Sequence, residues 1–132
     1  MTHKKLQKLC YYAYSWYLTL YKDKLINNRF EAWIHGPVDP GLYQEYKSFG
    51  WRPIPVVGSA PKFEDDVVSF LEDIWESYGD FTGDELEYLS HQETPWLAAR
   101  AGLPATAACN TRLRDEVIRE YYQRVYEEGQ ND

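Results

Sequence analysis

The first twenty residues constrain the fold more than any other segment. Leu6, Leu9, Cys10, Ala13, Trp16, Tyr17 and Leu20 recur at helical spacing, and Tyr11, Tyr14, Leu18 and Tyr21 form a second stripe beside them. Only Lys4, Lys8, Tyr12, Ser15, Thr19 and Lys22 remain as a polar strip. A surface helix shows one apolar stripe; an arc this wide must be covered on two sides. The pattern predicts a helix from His3 to about Tyr21, N-capped by Thr2, as the central helix of an all-α bundle.

The rest of the chain is punctuated as further helices would be. Residues Leu25 to Ile34 do not repeat at helical spacing, and Arg29 to Trp33 alternates weakly, as a short extended segment does. His35-Gly36-Pro37-Val38-Asp39-Pro40 reads as a fixed loop. Asp39 is placed to cap a following helix and Pro40 to occupy its first position, where no N–H is needed. That helix carries Leu42, Tyr43, Tyr46 and Phe49 and stops at Gly50; a proline-rich loop follows, from Trp51 to Pro61. From Phe63, the set Val67, Phe70, Leu71, Ile74, Trp75 and Tyr78 predicts an amphipathic helix ended by Gly79, with acids in its first turn. Thr82 and Glu85 form a capping box for a short helix to about His91, and Thr94-Pro95 opens another that holds Trp96. A last helix is expected from Asn110 or Thr111, burying Leu113, Val117, Tyr121 and Val125. The expectation is one compact all-α domain over residues 1–132, with about six helices, two of them short.

Charge and composition exclude several classes. A net charge of −7 argues against a general nucleic-acid binder, which needs a basic surface to displace counterions. No apolar run approaches a membrane span and no signal-peptide pattern opens the chain, so the expected setting is the cytoplasm, with no membrane partner. Two cysteines make no disulfide scaffold. The charge is uneven: residues 1–62 hold 9 Lys/Arg against 4 Asp/Glu, and residues 63–132 hold 5 against 17. Phe63 to Ala99 contains 11 acids and no Lys or Arg, a surface suited to steering a basic partner.

Four blocks of sequence resemble one known family. They are Lys5-Leu6-Gln7-Lys8-Leu9-Cys10-Tyr11-Tyr12-Ala13 with Trp16; Trp33-Ile34-His35-Gly36-Pro37-Val38-Asp39-Pro40; Tyr78-Gly79; and Ser90-His91-Gln92-Glu93-Thr94-Pro95-Trp96. Their order and type resemble the Panacea domain of SocA-like antitoxins, over roughly Lys4 to Tyr122. His35 stands where the family usually has an aromatic residue, and Ser90 where Thr is usual. The resemblance implies a helical antitoxin of bacteria and their phages, encoded beside a toxin gene and neutralising that toxin by binding it. In the SocA-like branch it implies an adaptor that delivers the toxin to a Clp-type protease.

A small hydrolase or transferase would use His35 and His91, with Cys10 as a nucleophile, but Cys10 lies on an apolar stripe and reads as a small hydrophobe. No Cys/His spacing suits zinc, and no glycine-rich loop suits a nucleotide, so neither metal nor cofactor is expected. The family motif residues Trp33, Gly36, Pro37, Pro40, His91, Pro95 and Trp96 read as mostly structural, with His91 fixing the turn before Pro95 so that Trp96 enters the core. The 12 Tyr and 5 Trp exceed what a core can bury with every polar atom satisfied, and such residues anchor interfaces. Tyr12, Tyr122 and Tyr126 are candidate surface aromatics, Tyr43, Tyr46 and Trp51 the leading partner-binding guesses, and Glu72, Asp73 and Glu76 the steering charges. A phage-encoded inhibitor of a host protein is a further reading of such a surface.

Overall fold

A computed structural model of the chain describes residues 1–25, 27–50, 52–54 and 64–131. Among them are six α-helices: α1 (His3–Tyr21), α2 (Pro40–Tyr46), α3 (Asp65–Tyr78), α4 (Gly83–His91), α5 (Thr94–Arg100) and α6 (Asp115–Asn131). A two-stranded ribbon, β1 (Glu31–Trp33) and β2 (Gly36–Val38), lies between α1 and α2. The fold is all-helical apart from this ribbon.

The local signals act as their chemistry requires. Thr2 accepts from the Lys5 N–H at the start of α1, and Asp39 accepts from Gly41 and Leu42 at the start of α2. Thr82 and Glu85 make the reciprocal capping box of α4. A 3-10 turn, Lys47–Phe49, extends α2 to Gly50, whose φ of 57° ends it. Trp51 and Phe63 lie outside the described residues.

Helix α1 packs against α3, α4, α6, α2 and β2 and is the centre of the molecule. The strip expected to be polar is buried: Tyr12, Ser15, Lys8 and Thr19 all have 3% exposure or less. Leu20 and Tyr21, expected in the core, are exposed. The reason is that the ribbon and α4 close over this strip, and its polar atoms find partners in the ribbon, at the start of α5 and within α1. Lys8 Nζ donates to the Pro37 carbonyl, the Tyr12 hydroxyl donates to Glu93, and the Thr19 hydroxyl donates to the Ser15 carbonyl.

Two other expectations are corrected. Gly36 to Val38 is not loop but strand, paired with β1 through the two-residue connection Ile34–His35. The last helix starts at Asp115, because the preceding residues spend their backbone on the ribbon. The Ala32 N–H donates to the Thr111 carbonyl, and the Leu113 N–H to the Phe30 carbonyl. The buried face of α6 then falls on Ile118 and Tyr122; Val117 and Tyr121 are half-buried and Val125 is exposed. On α3, Phe70 and Ile74 are buried, whereas Trp75 is 54% exposed.

Candidate functional site

The residues of the family motif meet around the ribbon. Gly36 has φ +104°, and a Cβ there would lie 2.7 Å from Lys8 Cε and 2.8 Å from Ser90 Oγ. Only glycine allows that approach and that backbone conformation together. Trp96 is 4% exposed, and its indole N–H donates to the Trp33 carbonyl at 2.8 Å. His91 stacks on one face of Trp96 at 4.1 Å, and the Arg100 guanidinium lies over the ring at 4.7 Å. Arg100 is itself buried and donates to the carbonyls of Ala32, Pro104 and Ala107, tying the ribbon to the loop after α5. His91 therefore acts by stacking on Trp96, with the Ile34 backbone as its polar neighbour, rather than by fixing the turn before Pro95. Pro95 is buried and Pro40 sits in the first turn of α2.

A second group lies inside the bundle. Glu93 is 8% exposed and accepts from the Tyr12 hydroxyl at 2.7 Å and the Tyr122 hydroxyl at 2.9 Å. Tyr122 also lies 3.1 Å from the Tyr11 hydroxyl, and Tyr78 stacks on Tyr12 at 4.3 Å while accepting from the Trp16 indole N–H. Burial pushes the Glu93 carboxyl up to about 7, although the two tyrosine donors favour its charged form. Tyr12 and Tyr122, expected as surface aromatics, are core residues. Sequence spacing misses Glu93, because it sits just ahead of Pro95 like a helix cap; the one signal is a carboxylate between the motif's His91 and Trp96.

Next to the ribbon is a cleft of about 980 Å³. Among the described residues its wall includes Lys4 and Lys8 of α1, Trp33 and His35 of the ribbon, Tyr43 of α2, and Cys109. Lys4 pairs with Asp84 at 2.8 Å and Glu87 at 3.0 Å, and His35 Nδ1 lies 3.0 Å from Glu87. Lys8 is 1% exposed, and among the described residues no carboxylate lies within 4.0 Å of it. Burial, with the nearby Lys4 charge, brings its ammonium down to about 7 against the pull of Glu87.

The enzyme reading gains no assembled machinery from this geometry. His35 and His91 both approach Glu87, yet among the described residues neither hydrogen-bonds to a serine, threonine or cysteine. Cys10 is away from the cleft, and burial pushes its thiol up to about 11. No group of three or more His, Cys, Asp and Glu among the described residues is placed to hold a metal ion.

The partner-binding guesses are divided. Tyr43 is half-buried, edge-on to Trp33 at 4.9 Å and tilted against His3 at 5.2 Å. Tyr46 is half-buried beside Phe49, and Trp51 lies outside the described residues. Glu72, Asp73 and Glu76 are exposed on α3, a different face from Tyr43 and Tyr46 of α2. Trp75, exposed on the same helix, has a ring that covers Gly79 and faces Lys5 at 5.2 Å. No helix among the described residues is long and apolar enough to cross a membrane.

Comparison with known proteins agrees with the motif. The family described as Antitoxin SocA-like, Panacea domain, matches residues 6–97, the span that holds most of α1, the ribbon, Glu93 and Trp96. A curated relative, Antitoxin SocA of Caulobacter vibrioides (strain NA1000 / CB15N), is 26% identical over 132 residues, which cover 89% of this chain and 70% of that protein. No solved structure matches the chain. The residues that build the ribbon and its anchor are thus those of a known domain, and the chain belongs to the SocA-like antitoxin family with the Panacea domain.

Proposed function

We propose that the protein is an antitoxin that silences its toxin by direct binding, in the cytoplasm and without catalysis of its own. Membership of an antitoxin family is the observation that carries this reading. The motif residues are spent on holding the ribbon, so the surface is left to choose the partner. The surface that favours a partner most is the outer face of α3. There Trp75 is half-exposed among Glu72, Asp73 and Glu76, in a stretch without any Lys or Arg. An aromatic anchor within a carboxylate rim suits a basic toxin. Tyr43 and Tyr46 are a second contact surface, offering half-buried rings beside the ribbon.

The test is co-expression with the gene encoded next to this one, followed by pull-down and a growth assay. Growth should be restored together with a stable complex. Neutralising Glu72, Asp73 and Glu76 together should slow association at low salt and matter little at high salt, since rim charges act on the encounter. Rescue with no detectable complex would refute the reading. Delivery of the bound toxin to a Clp-type protease would show as a shortened toxin half-life in the same cells.

A further inference from the structure

We propose that the cleft beside the ribbon is a binding site for a small organic carboxylate with an apolar body, with Lys8 as the buried counter-ion at its floor. Lys4 is already spent on Asp84 and Glu87, His35 lies against Glu87, and Lys47, which also lines the cleft, is exposed to water, so Lys8 is the buried ammonium there. Lys8 has one hydrogen bond, to the Pro37 carbonyl at 3.2 Å, and two N–H groups beyond it. A buried ammonium without a carboxylate is costly, and the fold keeps it by shaping Gly36 around its side chain. A hydrophobe of the same length would avoid the buried charge and lose only the single bond to Pro37, so bracing the ribbon uses one of the three donors of Lys8 and leaves two for a ligand.

The walls set the rest of the ligand. Trp33, Val38 and Tyr43 offer apolar and aromatic surface, and the volume is at the upper end of small-molecule sites. Asp84 and Glu87 lie near the same cations, which disfavours a dianion such as a phosphate monoester and favours a single negative charge. Because Lys8 is 1% exposed, only a slim group on a narrow stem reaches it, which favours a small acid over a folded protein surface. Cys109 also lines the cleft with its thiol lowered, whereas half-buried Cys10 lies away from the cleft and burial pushes its thiol up to about 11. Alkylation of Cys109 therefore reports occupancy.

The experiment titrates the full chain with 4-phenylbutyrate and, in parallel, with neutral 4-phenylbutyramide. The readouts are iodoacetamide labelling of Cys109 and the amide shift of Gly36 by NMR. The acid should protect Cys109 and bind about tenfold more tightly than the amide, the worth of one charge-assisted hydrogen bond. Lys8→Met should retain the folded spectrum and erase that preference. Should Lys8→Met fail to fold, Cys109→Trp, which fills the mouth, should abolish the Gly36 shift with either probe. Equal affinity for acid and amide, or a preference that survives in Lys8→Met, overturns the proposal. So does protection of Cys109 by the co-purified toxin alone, which would give the cleft to a macromolecule. The titrations with the two small probes leave complex formation with the toxin untouched, and pull-down reads that complex separately.

Discussion

Replacing Glu93 by Gln should change how stability depends on pH far more than it changes the fold. Glutamine keeps the shape and an oxygen able to accept from Tyr12 and Tyr122, the two donors that meet Glu93 in the native structure. It removes a carboxyl that titrates near 7 when folded, against an ordinary value of 4.5. A carboxyl raised on folding holds its proton more tightly in the native state. Its stabilising effect is complete below about pH 4.5 and is lost as the pH rises through about 7. With those two values, the native protein should lose about 3 kcal/mol relative to the Gln variant between pH 4 and pH 8. Urea unfolding of both proteins across this range, at constant ionic strength, measures the difference directly. Other titrating groups cancel in that difference. Lys8 acts in the opposite sense and mostly above this range: its stabilising effect is complete above about 10.5 and is lost as the pH falls to about 7. A difference that stays flat within about 0.5 kcal/mol would mean that Glu93 is solvated like a surface carboxylate, and the buried tyrosine–carboxylate group would be refuted.

Gly36→Ala should destabilise by about 1–3 kcal/mol, since the new methyl meets Lys8 and Ser90 in a left-handed backbone; a thermal melt matching the parent would contradict the cradle. Trp96→Ala should cost about 3–5 kcal/mol and Trp75→Ala under about 1 kcal/mol, because one ring is enclosed by His91, Arg100 and the ribbon and the other is half in water. Denaturant melts of the pair give the ranking. Arg100→Lys should not rescue the loss seen in Arg100→Ala, since a single ammonium cannot reach the carbonyls of Ala32, Pro104 and Ala107 together.

What the sequence made legible, and what it hid, follows from where each signal resides. Caps are local, so Thr2, Asp39 with Pro40, and Thr82 with Glu85 are readable and appear in the structure as their spacing dictates. The phase of a helix is set by what covers it, which is not local. Tyr12 and Lys8 look solvent-facing on a helical wheel, and become core only because β2, the start of α5 and α6 bring Pro37, Glu93 and Tyr122 to them. On α6 the choice between Tyr121 and Tyr122 turned on a helix start that Thr111 and Leu113 displaced by pairing with the ribbon. Trp75 satisfies an apolar spacing yet sits outside, since its ring folds over Gly79 at the end of α3. The motif positions Gly36, His91 and Trp96 stand out in the sequence, but the reason for Gly36, the side chain of Lys8 from the middle of α1 pressed against it, exists only in three dimensions.

The most direct measurement of the central claim is calorimetric titration of the purified protein with the purified product of the adjacent toxin gene. The expected result is saturable binding, weakened in Trp75→Ala and retained by the folded His35→Ala and His91→Ala variants. No heat and no co-migration on size exclusion, with toxicity still suppressed in cells by the same protein, would contradict it.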